Sequence, residues 1–351
     1  QVIVNFFDTE GLVCNDLVEI ALDDDCSVVV TPDMLLEGDI PEALFTVTVY
    51  TQTGINIGNT ITGQYLNQTL KAKVTDICNW NICYTDIKVV DRAEPTMVCT
   101  DLMLNCAIAN FTPDNLKNNI QVPGAYPAVT DNCSPFVLTY FDVSTDVPCG
   151  GSINGMNDVS AYVRRTWTAT DASGNKATCL QYLYFKRISL ADIQFPAEAQ
   201  VSCRNPNTNP SITGTPFVMQ YGKKFPLHPS ANYCELSVTY TDQIAPSCTG
   251  SYSIIRTWRA FDFCSPTAPL PPNQNPLVAT QVVNVRDNTG PHIQCPADLT
   301  ISTTLLNCCA NMALPSVIVG DSCSKVLSIL AKVYTIHPVT GDTLVQYDIK
   351  G

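Results

Sequence analysis

Residues 165–171 of this 351-residue chain read RTWTATD, and residues 256–262 read RTWRAFD. The two stretches begin 91 residues apart, and in each an Asp follows four positions after the Trp. Apolar and polar side chains alternate around them, which is the pattern of a half-buried β-strand. We therefore predict that the chain is built from β-rich repeats.

Three further landmarks recur at similar spacing. A Cys begins a short polar stretch near the start of each unit, an Asx-x-Cys motif lies in its middle, and a Pro marks its boundary. The Cys landmarks are Cys14, Cys99 and Cys295, with Cys203 as a weaker equivalent. The Asx motifs are 131–133, 232–234 and 321–323, and the prolines are Pro95, Pro196 and Pro291. In the first module Asp76 corresponds to Asp171 and Asp262, and Ala72 stands in place of the Trp.

These landmarks predict three complete modules and part of a fourth. Their bounds are 1–93, 94–190, 191–288 and 289–351. Runs such as Phe45–Tyr50 are rich in β-branched and aromatic residues. We predict an all-β chain of tandem immunoglobulin-like β-sandwich modules stapled by disulfides, because about 95 residues is the size of such a sandwich. The partial last module indicates that the chain is a window on a longer array.

Composition points to a secreted protein. The net charge is −13 and only 15% of residues are charged, so we expect no nucleic-acid partner. No apolar run reaches the roughly 20 residues that a membrane-spanning helix needs. Seventeen cysteines beside three histidines favour an oxidising compartment over zinc binding, because no cysteine spacing fits a zinc site.

Cysteine spacing predicts disulfides within modules. We expect Cys234–Cys248 and, at the equivalent place, Cys133–Cys149; Cys203 then pairs with Cys264, and either Cys99 or Cys106 with Cys179. The pairing of the first module is left open among Cys14, Cys26, Cys78 and Cys83, since four cysteines permit three connectivities. The alternative to a structural role, a redox-active thiol, requires a cysteine of low pKa.

The closing segment of the second module resembles a known family. Residues 166–179, TWTATDASGNKATC, are similar to the closing hairpin of hyalin-repeat (HYR-like) modules, as is Cys295-Pro296. Residues 14–38 resemble a related repeat of giant surface proteins from gliding and filamentous bacteria that use type IX secretion. The resemblance implies an extracellular adhesin, a surface filament or a spacer beside an enzyme. Ala72 and the stretch 263–266, FCSP, depart from its pattern.

The repeated Trp and Asp residues are predicted to be structural. Trp167 and Trp258 share a strand face with apolar neighbours, so we expect them in the core, together with Asp76, Asp171 and Asp262. Arg165 lies on the same face and is expected to stack on the indole. The alternative is an aromatic platform for sugars or peptides.

Acidic residues at the module boundaries offer ligands for calcium. The candidates are Asp91, Asp287 and Asn288, the run Asp23–Asp25 and the turn 171–175. The alternative is ordinary Asx turns. Neither the EF-hand nor the nonapeptide calcium spacing is present. We therefore predict no cofactor, apart from calcium at Asp91 and Asp287 as the alternative.

Possible glycosylation sites are Asn67, Asn110 and Asn132 in N-glycosylation sequons. Thr343, in the tripeptide Asp342-Thr343-Leu344, resembles the O-glycosylation acceptor of the implied bacterial group.

Catalysis is not expected, since His228, His292 and His337 lack partners for acid–base or metal chemistry. We predict a component of an extracellular surface fibre that self-associates or binds sister surface proteins. The alternatives are a ligand-binding adhesin array, with surface glycans as partners, and a spacer region of a secreted enzyme.

Overall fold

The computed structural model describes residues 12–38, 42–229, 231–247, 250–264, 275–302, 313, 315–337 and 339–350. Nearly all of the regular structure in these ranges is β-strand, which confirms the predicted fold class. The chain divides into two compact units. One comprises residues 1–104 and 110–186, and the other comprises 105–109 and 187–351.

The first repeat is a sandwich of a five-stranded sheet, in the order β1-β7-β6-β3-β4, and a two-stranded sheet, β2-β5. β1 runs parallel to β7, which ties the start of the repeat to its end. The strands are β1 (Leu17–Ala21), β2 (Ser27–Val29), β3 (Phe45–Tyr50), β4 (Asn56–Gly58), β5 (Thr60–Thr62), β6 (Thr69–Asp76) and β7 (Ile82–Val90).

The second repeat has a four-stranded sheet in the order β11-β12-β13-β9 and a β8-β10 pair. Its long strands are antiparallel along β11-β12-β13. The strands are β8 (Thr96–Val98), β9 (Leu102–Asn105), β10 (Ala128–Thr130), β11 (Phe136–Asp146), β12 (Val159–Asp171) and β13 (Lys176–Lys186).

The third repeat follows the same plan, with the sheet β14-β19-β18-β17 and the pair β15-β16. β14 is parallel to β19, as β1 is to β7. Two antiparallel strand pairs, β20-β21 and β22-β23, follow. The strands are β14 (Ala199–Ser202), β15 (Phe217–Gln220), β16 (Lys223–Pro226), β17 (Leu236–Pro246), β18 (Tyr252–Asp262), β19 (Leu277–Arg286), β20 (His292–Gln294), β21 (Ile318–Gly320), β22 (Leu330–Ile336) and β23 (Thr343–Lys350).

Short helical turns connect the strands. They are 3-10 turns at Pro32–Met34, Glu42–Leu44, Gly63–Tyr65 and Leu190–Asp192, a π-helical segment at Asn115–Ile120 and one α-turn at Pro210–Thr213. Alternation places one face of each central strand in the core: along β12, Val163, Arg165, Trp167 and Ala169 are all buried. None of the helices in the described ranges is long and apolar enough to cross a membrane.

Candidate functional site

A buried ion pair lies in the core of the second repeat. The Arg165 guanidinium, fully buried, donates hydrogen bonds to both carboxylate oxygens of Asp142 at 2.8 Å. It also donates to the Phe111 carbonyl and lies 4.6 Å from the centre of the Tyr140 ring. The expected stacking on Trp167 is the longer contact, at 5.7 Å. This bidentate pair offsets part of the cost of burying the charge, while Nη1 of Arg165 is buried without a hydrogen-bond partner.

Trp167 is held by a buried amide. Its indole N–H donates to Oε1 of Gln181 at 2.9 Å, and the Gln181 amide donates to the carbonyls of Thr100 and Gly124. One glutamine thus connects β12, the start of the repeat and a central loop. With the indole 1% exposed, the surface platform for sugars is not formed by this residue.

The third repeat contains the same arrangement. Arg256 pairs with Asp242 at 2.8 Å, and its guanidinium lies 4.6 Å from the ring centre of Tyr240. The indole of Trp258 donates to Gln281, whose amide donates to the carbonyls of Ala197 and Thr213. Neither Gln181 nor Gln281 was singled out from the sequence, because they follow the Trp by 14 and 23 residues. What they share is their place opposite the Arg of the RTW motif in the sheet register.

The predicted structural aspartates lie at hairpin turns. Asp171 accepts hydrogen bonds from the backbone N–H groups of Ser173 and Asn175. Asp76 accepts from the N–H of Cys78, and Asp262 from that of Cys264. Such side-chain bonds set the turn geometry at the tip of each long hairpin.

Two disulfides lie within single repeats. Cys14–Cys83 and Cys99–Cys179 have Cα separations of 5.7 and 5.9 Å. Cys179 lies opposite Trp167 in the sheet register, and the third repeat has Ala279 opposite Trp258. Since Gln281 contacts the carbonyl of Ala197 as Gln181 contacts that of Thr100, Pro196 corresponds to Cys99. The third repeat therefore lacks this bond.

Three disulfides join each predicted repeat to the next. They are Cys26–Cys133, Cys106–Cys234 and Cys203–Cys323, with Cα separations of 5.0, 5.9 and 5.9 Å. The first lies in the first unit, and the residues of the other two belong to the second. In every case the earlier cysteine follows the opening part of one repeat, and the later one ends the Asx-x-Cys motif of the following repeat. A Cβ at Gly63 would collide with Cys26 Sγ, so glycine permits the approach.

Of the pairings predicted within modules, Cys99–Cys179 is formed, whereas Cys133 is bonded to Cys26 and Cys234 to Cys106. Cys133 precedes β11 and Cys149 follows it, and an 11-residue strand separates its ends by about 35 Å. Cys234 is bonded to Cys106, and its predicted partner Cys248 lies outside the described residues. Cys149 and Cys264 are each disulfide-bonded.

The Cys203–Cys264 prediction fails for a related reason. Cys203 lies at the end of β19 marked by Arg286, whereas Cys264 lies by the hairpin at its other end. Cys78, in the first repeat, is exposed and forms no disulfide among the described residues. The same is true of Cys295, near the end of the chain.

Three aspartates converge where the first two repeats meet inside the first unit. One carboxylate oxygen each from Asp91, Asp131 and Asp171 lies within 4.8 Å of the others. Asp91 is 5% exposed. Burial is the main cause that raises the pKa of Asp91, and the charges of Asp171 and Asp131 add to it. Oδ2 of Asp91 and Oδ2 of Asp131 are buried and have no hydrogen-bond partner.

In the second unit the position of Asp91 is occupied first by an arginine and then by an aspartate. Asp91 follows β7 directly, Arg187 follows β13, and Asp287 follows β19. The Arg187 guanidinium donates to the Glu235 carboxylate and to the carbonyl of Cys234, the last residue of its Asx-x-Cys motif. Asp287 lies beside the Cys203–Cys323 disulfide. Backbone N–H groups of Ser324 and Cys323 lower the pKa of Asp321.

The remaining candidates lie at the surface. Asn67, Asn110 and Thr343 are exposed, and the amide of Asn132 donates to the carbonyl of Asp23. His228 and His292 are exposed as well. One feature missed from the sequence is a shallow cavity of about 380 Å³ on the first repeat. Its lining includes Tyr50, Tyr84, Lys71 and Lys73.

Comparison with known proteins does not assign the chain to a family. No family model matches it, and no curated protein does. Among solved structures, cadherin domains 1–4 of protocadherin gamma B7 are similar at a TM-score of 0.20 and 13% identity, over 94% of this chain and 90% of that one. Drosophila N-cadherin EC1-4 is similar at 0.20 and 9%, over 80% and 75%. Human mucin-like protocadherin EC1-2 is similar at 0.21 and 13%, over 51% and 100%.

Proposed function

We propose that the chain is a structural part of an extracellular surface fibre that carries tension, with successive repeats joined covalently. The observation that carries this is the recurrent repeat-to-repeat disulfide, Cys26–Cys133, Cys106–Cys234 and Cys203–Cys323. Disulfides persist in oxidising environments, which supports a location outside the cell or on its surface. We infer no catalysis, since the pairs that organise the repeats are buried in their cores.

The three disulfides close overlapping loops of chain. Residues 106–133 belong to both the first and the second loop, and residues 203–234 to both the second and the third. A force applied between residues 26 and 323 therefore passes through three S–S bonds and these two short segments. Together they hold roughly 60 residues, about 200 Å when fully extended. Unfolding of the repeats then releases little length.

Single-molecule stretching tests the proposal directly. With handles at the two ends of the oxidised chain, we expect a maximum extension of no more than about 400 Å, against about 1,200 Å after reduction. Equal extensions before and after reduction would overturn the proposed role in carrying tension. A variant with all cysteines of the three bonds changed to Ser should behave as the reduced chain does.

Self-association is supported by an exposed strand edge. In the described part of the second repeat, β11 is the last strand of its sheet. Its side chains include Val137 and Phe141, 68% and 69% exposed. Long apolar edges of this kind favour pairing with a further strand. Sedimentation of the chain should reveal concentration-dependent assembly that Val137→Lys weakens; a purely monomeric chain at high concentration would count against it.

A ligand-binding adhesin is the second candidate. The cavity on the first repeat places two tyrosines and two lysines together, a set suited to an anionic sugar. Glycan-array binding that is lost in Tyr84→Ala would favour this role over the fibre.

A further inference from the structure

We propose that Asp91, Asp131 and Asp171 form a calcium site between the first and second repeats. The inference does not depend on the fibre proposal, because it uses only the charges and burial of these side chains. Acidic residues in turns commonly stabilise only their own turn. Here the turns bind only the Oδ1 atoms of Asp91 and Asp131, and they leave the Oδ2 atoms of both without partners.

The distribution of hydrogen bonds shows what the turns leave over. Oδ1 of Asp131 accepts from the N–H groups of Cys133 and Ser134, and Oδ1 of Asp91 accepts from Ala93 N–H. Oδ2 of each is buried and accepts nothing. Buried carboxylate oxygens without a donor are costly, and two that face a third carboxylate are more so.

A third unsatisfied atom belongs to the turn that begins at Asp171. The hydroxyl of Ser173, two residues after Asp171, is buried without a partner, while its backbone N–H binds the Asp171 carboxylate. Three of the unsatisfied side-chain atoms in the described ranges therefore belong to this one junction. A cation bound among them would satisfy the oxygens together.

The second unit supplies an internal comparison. At Arg187, the residue that follows the last strand of the second repeat, the chain provides its own positive charge to Glu235. Arg187 is well buried, with 14% of its side chain exposed. Where Asp91 replaces this arginine, the junction has three carboxylates and none of the ion pairs in the described structure neutralises them. A bound cation would neutralise these carboxylates as Arg187 neutralises Glu235.

The geometry suits calcium. Calcium binds oxygen ligands at 2.3–2.6 Å, so two ligands on opposite sides of one ion are about 5 Å apart. The mutual distance of 4.8 Å at most between the three oxygens falls within this limit. Calcium also tolerates irregular geometry, whereas magnesium requires a near-octahedral shell and retains its waters.

Calorimetric titration of the full oxidised chain with calcium chloride, after removal of metals by a chelator, tests the site. We expect binding in the range of extracellular modules, a Kd of about 10⁻⁴–10⁻³ M, with a weaker response to magnesium chloride. Absence of calcium binding at roughly 10 mM would overturn the proposal. Equal or tighter binding of magnesium would overturn the assignment to calcium.

Variants locate the bound ion. Asp91→Arg copies the chemistry of the next junction, so we expect a folded protein that binds one calcium fewer. Asp131→Asn copies Asn232, the equivalent residue, and should weaken binding about tenfold or more by removing one ligand charge. The exposed Asp158→Asn is the matched control and should leave binding unchanged. If both Asp91→Arg and Asp131→Asn retain the parental stoichiometry and affinity, the site is not here.

Discussion

The Arg187 guanidinium binds the Glu235 carboxylate at the place in the repeat where Asp91 faces Asp131 one repeat earlier. Both residues directly follow the last strand of a repeat and lie next to the Asx-x-Cys motif of the following one. One position of the repeat therefore determines whether a junction is neutralised by the chain itself. The disulfide that joins the repeats is formed in both cases.

Removal of one repeat-to-repeat disulfide should destabilise the first unit. In the chain-entropy model, a bond that closes a loop of 107 residues contributes about 4–5 kcal/mol. We expect Cys26→Ser with Cys133→Ser to lower the free energy of unfolding toward that amount, measured by guanidinium denaturation. Cys78→Ser is the control and should have no effect. Non-reducing peptide mapping that links Cys133 to Cys149 would contradict the arrangement.

Loss of the Gln181 amide should be among the costliest single changes in the second repeat. Gln181→Leu leaves the indole N–H of Trp167 and the carbonyls of Thr100 and Gly124 without partners. We expect a loss of about 2–4 kcal/mol in unfolding free energy. The exposed Gln243→Leu should change it by less than about 0.5 kcal/mol. Similar effects of the two substitutions would show that the amide is not needed.

Loss of the Arg165–Asp142 ion pair should destabilise the protein more than loss of a surface ion pair. Asp142→Asn leaves a buried guanidinium unpaired and should cost about 3–5 kcal/mol. Asp158→Asn breaks the exposed pair with Lys186 and should cost less than about 1 kcal/mol. Thermal denaturation of the two variants side by side measures the difference, and equal midpoints would refute it.

The third repeat should accept the disulfide that it lacks. Pro196 and Ala279 occupy the positions of Cys99 and Cys179, so the double variant Pro196→Cys, Ala279→Cys is expected to oxidise spontaneously. The gain should be about 2–4 kcal/mol. Mass spectrometry of non-reduced peptides checks the bond. Each single variant is the control, and two free thiols in the double variant would mean that the repeats differ here.

Thiol labelling should modify Cys78 in the native oxidised protein, because this residue is exposed and forms no disulfide among the described residues. A maleimide reagent followed by peptide mapping measures the reaction, and Cys78→Ala removes the labelled peptide. Protection of Cys78 without reduction would place it in a bond.

The strands could be predicted because their side-chain pattern is local. Phe45–Tyr50 forms β3 as its β-branched and aromatic run indicates. The alternation around Trp167 likewise predicted the buried face of β12. Register and burial follow from residues a few positions apart, and so a single repeat contains all the information that they need.

The pairing of Cys179 with Cys99 or Cys106 was predicted, but the disulfides between repeats could not be predicted in this way, because they depend on how one repeat lies against the next. One available signal was the odd number of cysteines in a module. The predicted second module, 94–190, holds five cysteines, and an odd number in a complete module leaves either a free thiol or a bond to another module. Strand length was the second available argument, since β11 separates Cys133 from Cys149. Asp91 and the turn that begins at Asp171 were both predicted as calcium candidates, but only folding brings them together and adds Asp131.

The overlap of the disulfide loops also bears on proteolysis. A single cut anywhere between residues 26 and 323 leaves both fragments linked, because each peptide bond in that interval lies inside at least one closed loop. Two bonds span a cut within the overlapping segment 203–234, and three span a cut within 106–133, where Cys99–Cys179 also encloses the chain. A protease outside the cell would thus nick this part of the chain without shedding it.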